Sequence, residues 1–331
     1  MTMTKLNISD VGYGLMGFTW TPHPTPDDQA FEAMKASIDA GVTFWNAGSF
    51  YNLPDNPYAN LKLIARYFTK YPEDAPKIVL SIKTCVNPAG LGVELKPEQI
   101  RDHIDGVLKA LDGKVRVGIL EPARMDPAIP IEDVIPVIAE YVKAGKIDGI
   151  GLSEVGKETL KRANAVHPIA AVELEFSMTA RHILEDGTAE VAAELGIPVI
   201  GYSPFSRGVI AGRYKTAKEG ADKLSIFGFD QFKEDSLNHN WKLYDKVKAV
   251  ADAKGATPAQ VVLAWIKYQS GRNGNPRIVP IPGASSVTRV RENFKSITLT
   301  DDEFEDLDNF VRNFKVSGER YNEESRKFLS V

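Results

Sequence analysis

Two residues of this sequence have the types and positions that suit proton transfer. Phe44-Trp45-Asn46-Ala47-Gly48-Ser49-Phe50-Tyr51 runs from apolar residues through small ones to a tyrosine. Ile78-Val79-Leu80-Ser81-Ile82-Lys83 is an apolar run that ends on a lysine. The first reads as a short buried strand over 42–45, closed by a turn at Ala47, Gly48 and Ser49, and the second as a neighbouring strand. A phenol titrates near roughly 10, and an adjacent ammonium favours the phenolate and lowers that value. Tyr51 and Lys83, at the ends of adjacent parallel strands, are therefore candidates for an acid and the group that tunes it. Taken singly, Tyr51 also reads as a half-buried loop aromatic and Lys83 as a surface charge. The rest of the chain has to decide between these readings.

The elements that must position the pair alternate. Val11-Gly12-Tyr13-Gly14-Leu15-Met16-Gly17 is a strand fading into a glycine loop whose spacing is not that of a dinucleotide-binding turn. Thr25-Pro26-Asp27-Asp28 predicts a helix start with a capping threonine, running to Gly41. Further strands are read at 78–83, 115–120, 148–152, 170–176, 198–202 and 278–283. Helices are read at 58–71, 97–111, 131–144, 157–166, 179–195, 241–254, 258–269 and 287–294. A last helix starts at Thr300, where Thr300-x-x-Glu303 is a capping box. Eight strands, mostly apolar on both faces and each followed by helix, predict an α/β fold: a single (β/α)8 TIM barrel over 1–331.

Composition narrows the function. A net charge of −4 gives no reason to expect nucleic acid or an anionic membrane. The single cysteine, Cys85, excludes an internal disulfide and fits a reducing compartment. It reads as a packed side chain. No signal peptide and no membrane-spanning run is visible, so a cytoplasmic protein is expected. No metal site is read, and the oligomeric state stays open.

Barrel chemistry sits at the C-terminal ends of the strands. Polar residues gather there: Asn46 and Tyr51, Lys83, Glu121, Ser153 and Glu154, Glu173, Tyr202 and Ser203. After the last strand, Gly283, Ser285 and Ser286 precede the helix at 287–294, whose first amides favour a phosphate.

With these motifs the chain resembles the aldo-keto reductases over nearly its whole length. Gly201-Tyr202-Ser203-Pro204-Phe205-Ser206-Arg207-Gly208 and the residues on to Tyr214 are similar to that family's cofactor loop. Ile281-Pro282-Gly283-Ala284-Ser285, with Arg289, Glu292 and Asn293, resembles its site for the adenosine end. Ile150-Gly151-Leu152-Ser153 resembles its carboxamide-binding strand. The resemblance implies hydride transfer from NADPH to a small-molecule aldehyde or ketone. It implies Tyr51 as general acid, Lys83 as its tuner, Tyr202 stacked on the nicotinamide and Ser153 on the carboxamide. Arg207 and Arg289 would meet the pyrophosphate and the adenosine-side phosphate. Gly17, Glu154, Ser203, Pro204, Gly208 and Ile281 complete the implied NADPH contacts. Residues 203–240 would cover the cofactor. The 314–331 tail would help shape the pocket, with Trp20, Phe50, Trp241 and Tyr321 as lining candidates.

The departures are as informative. Asn46 stands where the family usually has an aspartate paired with the lysine, so Lys83 is expected to keep more of its positive field on Tyr51. No histidine follows the fourth strand, where Leu120-Glu121-Pro122-Ala123-Arg124-Met125-Asp126 stands. Two placements are open for Glu121: orienting substrate, or pairing with Arg124. Glu173 stands where an amide is usual, and it either accepts from the carboxamide or caps a loop. Asn46, the 121–126 segment and Ser317-Gly318-Glu319-Arg320-Tyr321 are similar to fungal pyridoxal reductases. That similarity implies reduction of pyridoxal to pyridoxine. A broad aldehyde or ketone reductase, and a regulatory NADPH-binding subunit like the potassium-channel β subunits, are the alternatives.

Overall fold

The computed structural model describes residues 7–87 and 92–330. Eight parallel strands follow in chain order: β1 (Tyr13–Gly14), β2 (Phe44–Gly48), β3 (Val79–Thr84), β4 (Val117–Pro122), β5 (Ile150–Ser153), β6 (Ile169–Glu175), β7 (Val199–Tyr202) and β8 (Ile278–Pro280). The Gly12 N–H donates to Pro280 O at 2.9 Å and the Gly14 N–H to Pro282 O at 3.1 Å, which joins β8 to β1. The expected barrel is therefore present.

Helices fill the outer ring: α1 (Asp27–Asp39), α2 (Ala59–Lys70), α3 (Pro97–Leu111), α4 (Ile131–Lys143), α5 (Lys157–Val166), α6 (Thr188–Glu194), α7 (Ala217–Leu224), α8 (Glu234–Lys254), α9 (Pro258–Gln269), α10 (Val287–Phe294), α11 (Asp301–Asn313) and α12 (Glu323–Arg326). The main core lies between strands and helices. Trp45, fully buried there, donates its Nε1–H to Ser37 Oγ of α1 at 3.1 Å. Burying a side chain of this kind contributes about 1.5–3 kcal/mol. A smaller cluster that includes Phe44, Ile119, Ile200, Val279 and Ile281 plugs the barrel interior below the polar rim. Among the described residues, no helix is long and apolar enough to cross a membrane.

Several boundaries differ from the sequence reading. β1 is short, and Gly17 lies in a 3-10 turn over Met16–Phe18. Thr25 does not cap α1; Pro26 holds the cap position and no side chain bonds there. β2 continues through Gly48 instead of turning at Ala47. A Cβ at Gly48 would lie 2.9 Å from the Tyr51 ring, so the missing side chain is what lets that ring fold back onto the strand end. The span 179–195 is broken at Gly187, whose φ of +87° ends regularity before α6. The 203–240 segment is not a plain loop: it holds α7 and the first turns of α8, which packs Val209, Tyr214, Phe232 and Leu237 into a third cluster. α8 starts seven residues earlier than the sequence reading, its first turn carrying Glu234 and Asp235, which suit a helix N-terminus. The capping box at Thr300 and Glu303 is formed, with both reciprocal bonds present.

Candidate active site

Two irregularities in strand pairing decide which side chains enter the barrel. Between β3 and β4 the register runs Leu80 opposite Val117, then Ser81 opposite Ile119, so Lys83 stands level with Glu121. Between β5 and β6 it runs Ile150 opposite Ile169, then Gly151 opposite Ala171, so Ser153 stands level with Glu173. An extra residue on one strand flips the face of everything beyond it. Both glutamates are thereby turned inward beside Lys83.

The result is a buried layer across β2, β3, β4 and β6. Lys83 Nζ lies 2.7 and 2.8 Å from the two Glu173 carboxylate oxygens and donates to Asn46 Oδ1 at 2.7 Å. Asn46 Nδ2 donates in turn to Glu173 Oε2 at 2.6 Å. Glu173 thus neither caps a loop nor stands free for a carboxamide; it supplies the lysine's counter-charge. The expectation that Lys83 would stay uncompensated is corrected accordingly. The carboxylate has moved from the second strand to the sixth, and Asn46 bridges acid and base.

Tyr51 is 6% exposed, with Lys83 Nζ 5.3 Å from its ring centroid. Burial raises the phenol's pKa above its ordinary value, against the pull of Lys83, and the charges of Glu173 and Glu121 add to the rise. The sequence reading expected a lowered value; desolvation is the larger effect here. Lys83 is pulled down by burial but held above its ordinary value overall, chiefly by Glu173. At neutral pH the phenol therefore keeps its proton and the amine its charge.

Glu121 does not pair with Arg124. It is 1% exposed and accepts from Ser81 Oγ at 3.2 Å. Burial, and then the neighbouring Glu173, push its carboxyl well up. Gly151 makes the room, since a Cβ there would lie 2.9 Å from Glu121 Oε2. Glu121 lies in the floor of the layer, its carboxyl biased toward the neutral form by burial and by Glu173.

Aromatic walls surround Tyr51. Trp20 stacks on it at 5.4 Å with 21° between ring planes, and Phe50 meets Trp20 edge-on at 5.8 Å. Tyr321 of the tail shares a 2.7 Å hydrogen bond with the Tyr202 hydroxyl. Trp241 is not part of this wall; it packs on Tyr244 of its own helix.

Glu154 is held by the tail, and its Oε1 also accepts from the Glu175 N–H at 2.8 Å. Its carboxylate lies 3.0 Å from Arg320, whose other nitrogen lies 2.8 Å from Glu175. Burial opposes ionisation of Glu154, but Arg320 and Arg124 bring it below its ordinary value. Burial dominates at Glu175 and pushes it up to about 7 despite Arg320. The Ser330 N–H also donates to Glu154 O at 2.9 Å. Sequence reasoning missed Glu175 and Arg320 as a unit. The signal was the two-residue spacing of Glu173 and Glu175, which places both on one face of β6.

The expected cofactor residues lie along one side of the rim. Ser203, Ser206, Arg207 and Gly208 all adopt positive φ within six residues after β7. Successive amides in such turns make an anion-binding concavity. The Arg207 guanidinium lies 4.0 Å from the Phe227 ring centroid. Ser286 caps α10 by accepting from the Arg289 N–H. Ser285 O is taken by Gln29 Nε2 at 2.7 Å, Asn293 is buried, and Glu292 O accepts from Gln260. Pro204 stands between two of the left-handed residues; Ile281 and Gly283 follow β8 beside Gly14. A side chain at Gly17 would meet nothing within 4 Å, so packing does not explain that glycine. A cradle of amides with Arg207 and Arg289, which have no carboxylate within 4.0 Å among the described residues, fits a nicotinamide dinucleotide.

Comparison with known proteins agrees with this geometry. The sequence matches the Aldo/keto reductase family over residues 10–312. It is 35% identical over 330 residues to a Schizosaccharomyces pombe protein named "Probable pyridoxal reductase 2", covering 98% of each chain. It is 32% identical to a Saccharomyces cerevisiae protein with a provisional pyridoxal reductase name, covering 94% of this chain and 95% of the other. In fold it is similar to the glycerol dehydrogenase of Gluconobacter oxydans, with a TM-score of 0.77 at 18% identity and 95% of both chains covered. The barrel, the phenol and ammonium at its rim and a match over nine-tenths of the sequence have one reading in common: this chain belongs to the Aldo/keto reductase family.

Proposed function

We propose that the protein reduces an aldehyde to an alcohol with NADPH in the cytoplasm, and that its substrate is pyridoxal, giving pyridoxine. The observation that carries this reading is a protonated Tyr51 beside a charged Lys83 that Glu173 and Asn46 hold in place.

The residues that would hold NADPH are Ser203, Arg207 and Gly208 on one side and Ser285, Arg289 and Asn293 on the other, with Tyr202 and Ser153 at the reactive end. The bound cofactor supplies the hydride that the carbonyl carbon takes. Tyr51 gives its phenolic proton to the carbonyl oxygen as charge develops there. Lys83 then faces the phenolate, which its ammonium stabilises. Glu173 and Asn46 fix that ammonium without removing its proton. Trp20 and Phe50 shield the phenol from water.

Steady-state rates for pyridoxal and a set of plain aldehydes, followed by NADPH oxidation, test the proposal. Pyridoxal is expected to have the highest kcat/KM. Its absence from the turned-over substrates would leave a general reductase. Arg289→Leu tests the cofactor: it is expected to weaken NADPH roughly 10-fold or more and leave NADH nearly unchanged. Equal loss for both would remove Arg289 from phosphate recognition.

A further inference from the structure

Arg124 is the cation at the rim that nothing above employs. It follows β4 by two residues. Its Nη1 donates to Ala123 O at 2.6 Å and, weakly, to Ser153 Oγ at 3.4 Å. Its Nε and Nη2 make no hydrogen bond among the described residues, and no carboxylate lies within 4.0 Å of it. Two other rim arginines are placed differently. Arg320 sits between two carboxylates and Arg207 lies over Phe227. Glu154 is the carboxylate whose field reaches Arg124 most strongly, but its direct partner is Arg320. A partly buried guanidinium with two nitrogens left unbonded presents planar, paired donors suited to an oxyanion. Its place is fixed by function-bearing neighbours: Ser153 stands level with Glu173, which holds Lys83.

We propose that Arg124 is a specificity residue that pairs with an anionic oxygen adjacent to the substrate's carbonyl group. This rests on the aldehyde-reductase reading and deepens it. In pyridoxal the matching group is the phenolic oxygen next to the aldehyde, which ionises readily on the pyridine ring. The pairing gives Arg124 a direct anionic partner on the substrate, whereas in the protein the carboxylate nearest it in field, Glu154, is bonded to Arg320. A neutral aldehyde leaves the guanidinium unpaired, which is the strongest form of discrimination a polar site offers.

The test compares matched aldehydes that differ only in that charge: pyridoxal against its 3-O-methyl ether, and 2-carboxybenzaldehyde against its methyl ester. Wild-type enzyme is expected to prefer the anionic member of a pair. Arg124→Met is expected to lower kcat/KM for the anionic member roughly 10- to 100-fold and for the neutral member less than about threefold. Arg124→Lys, which keeps the charge, should recover part of the loss. The NADPH dissociation constant, read by fluorescence, should not move. Equal loss for both members, or a parallel loss of NADPH affinity, overturns the proposal. So does a wild-type enzyme indifferent to the charge, a result that stands even if Arg124→Met fails to fold. A preference for 2-carboxybenzaldehyde without pyridoxal turnover would sustain the role of Arg124 and sink the pyridoxal reading.

Discussion

Two buried ion clusters sit on the same rim and are built from different material. Lys83, Glu173 and Asn46 all come from barrel strands, so sheet register holds them. Arg320, Glu154 and Glu175 join two strand ends to the tail. Around Arg320 the tail is further tied by Asn240, whose side chain bonds both backbone atoms of Ser317, and by the Glu319 carbonyl on the Gln231 N–H. The strand cluster cannot open without breaking the barrel. The tail cluster opens by peeling residues 314–330 off the rim, with the barrel left intact. The same type of bond thus makes a fixed floor of the candidate site in one place and a latch in the other.

The sharpest contrast is in turnover. Tyr51→Phe keeps the ring and removes the proton above the strand cluster. It is expected to lower kcat about 100- to 10,000-fold and to leave NADPH affinity within roughly twofold. A fall of less than tenfold, with chemistry rate-limiting, would take the acid role from Tyr51.

Next comes stability. Glu173→Gln leaves Lys83 buried without its counter-charge, which costs about 3–5 kcal/mol, read by denaturant unfolding. Asn46→Asp in the same chain should restore most of it, because the carboxylate then reaches Lys83 from β2. A double variant no more stable than Glu173→Gln would show that the charge is not what Glu173 contributes.

Arg320→Met breaks the latch. The freed tail lets water reach Glu154 and Glu175, so the loss should be smaller, about 1–3 kcal/mol. Limited proteolysis should cut 314–331 first. A loss as large as that of Glu173→Gln would erase the distinction between floor and latch.

The smallest effect is in pH dependence. Glu175 has its folded value raised from 4.5 to about 7, so between these values the folded state binds more protons than the unfolded. Its contribution to stability is then complete below about 4.5 and is lost as pH rises through about 7. Glu175→Gln should flatten this fall, whose steepest slope is on the order of 1 kcal/mol per pH unit. Glu154, lowered in the folded state, acts in the opposite sense at lower pH. An unchanged profile in Glu175→Gln would mean that Glu175 titrates alike in both states.

Much of this architecture is local and could be read from the sequence. Helices at Pro97–Leu111, Lys157–Val166, Pro258–Gln269 and Val287–Phe294 have the bounds their spacing and caps indicate. Apolar period, glycine and proline act within a few residues, so they survive without tertiary information. Tyr51 and Lys83 were legible for the same reason: each ends an apolar run. What the sequence could not determine was the partner of each charge. Asn46 looked like a lost carboxylate because the replacement, Glu173, lies 127 residues away. Glu121 looked free for Arg124, three residues on, because proximity in sequence says nothing about which face a residue takes. Two one-residue shifts in strand pairing, after Leu80 and after Ile150, turned both glutamates inward. Such a shift depends on how neighbouring strands pack, and packing exists only once the barrel has closed.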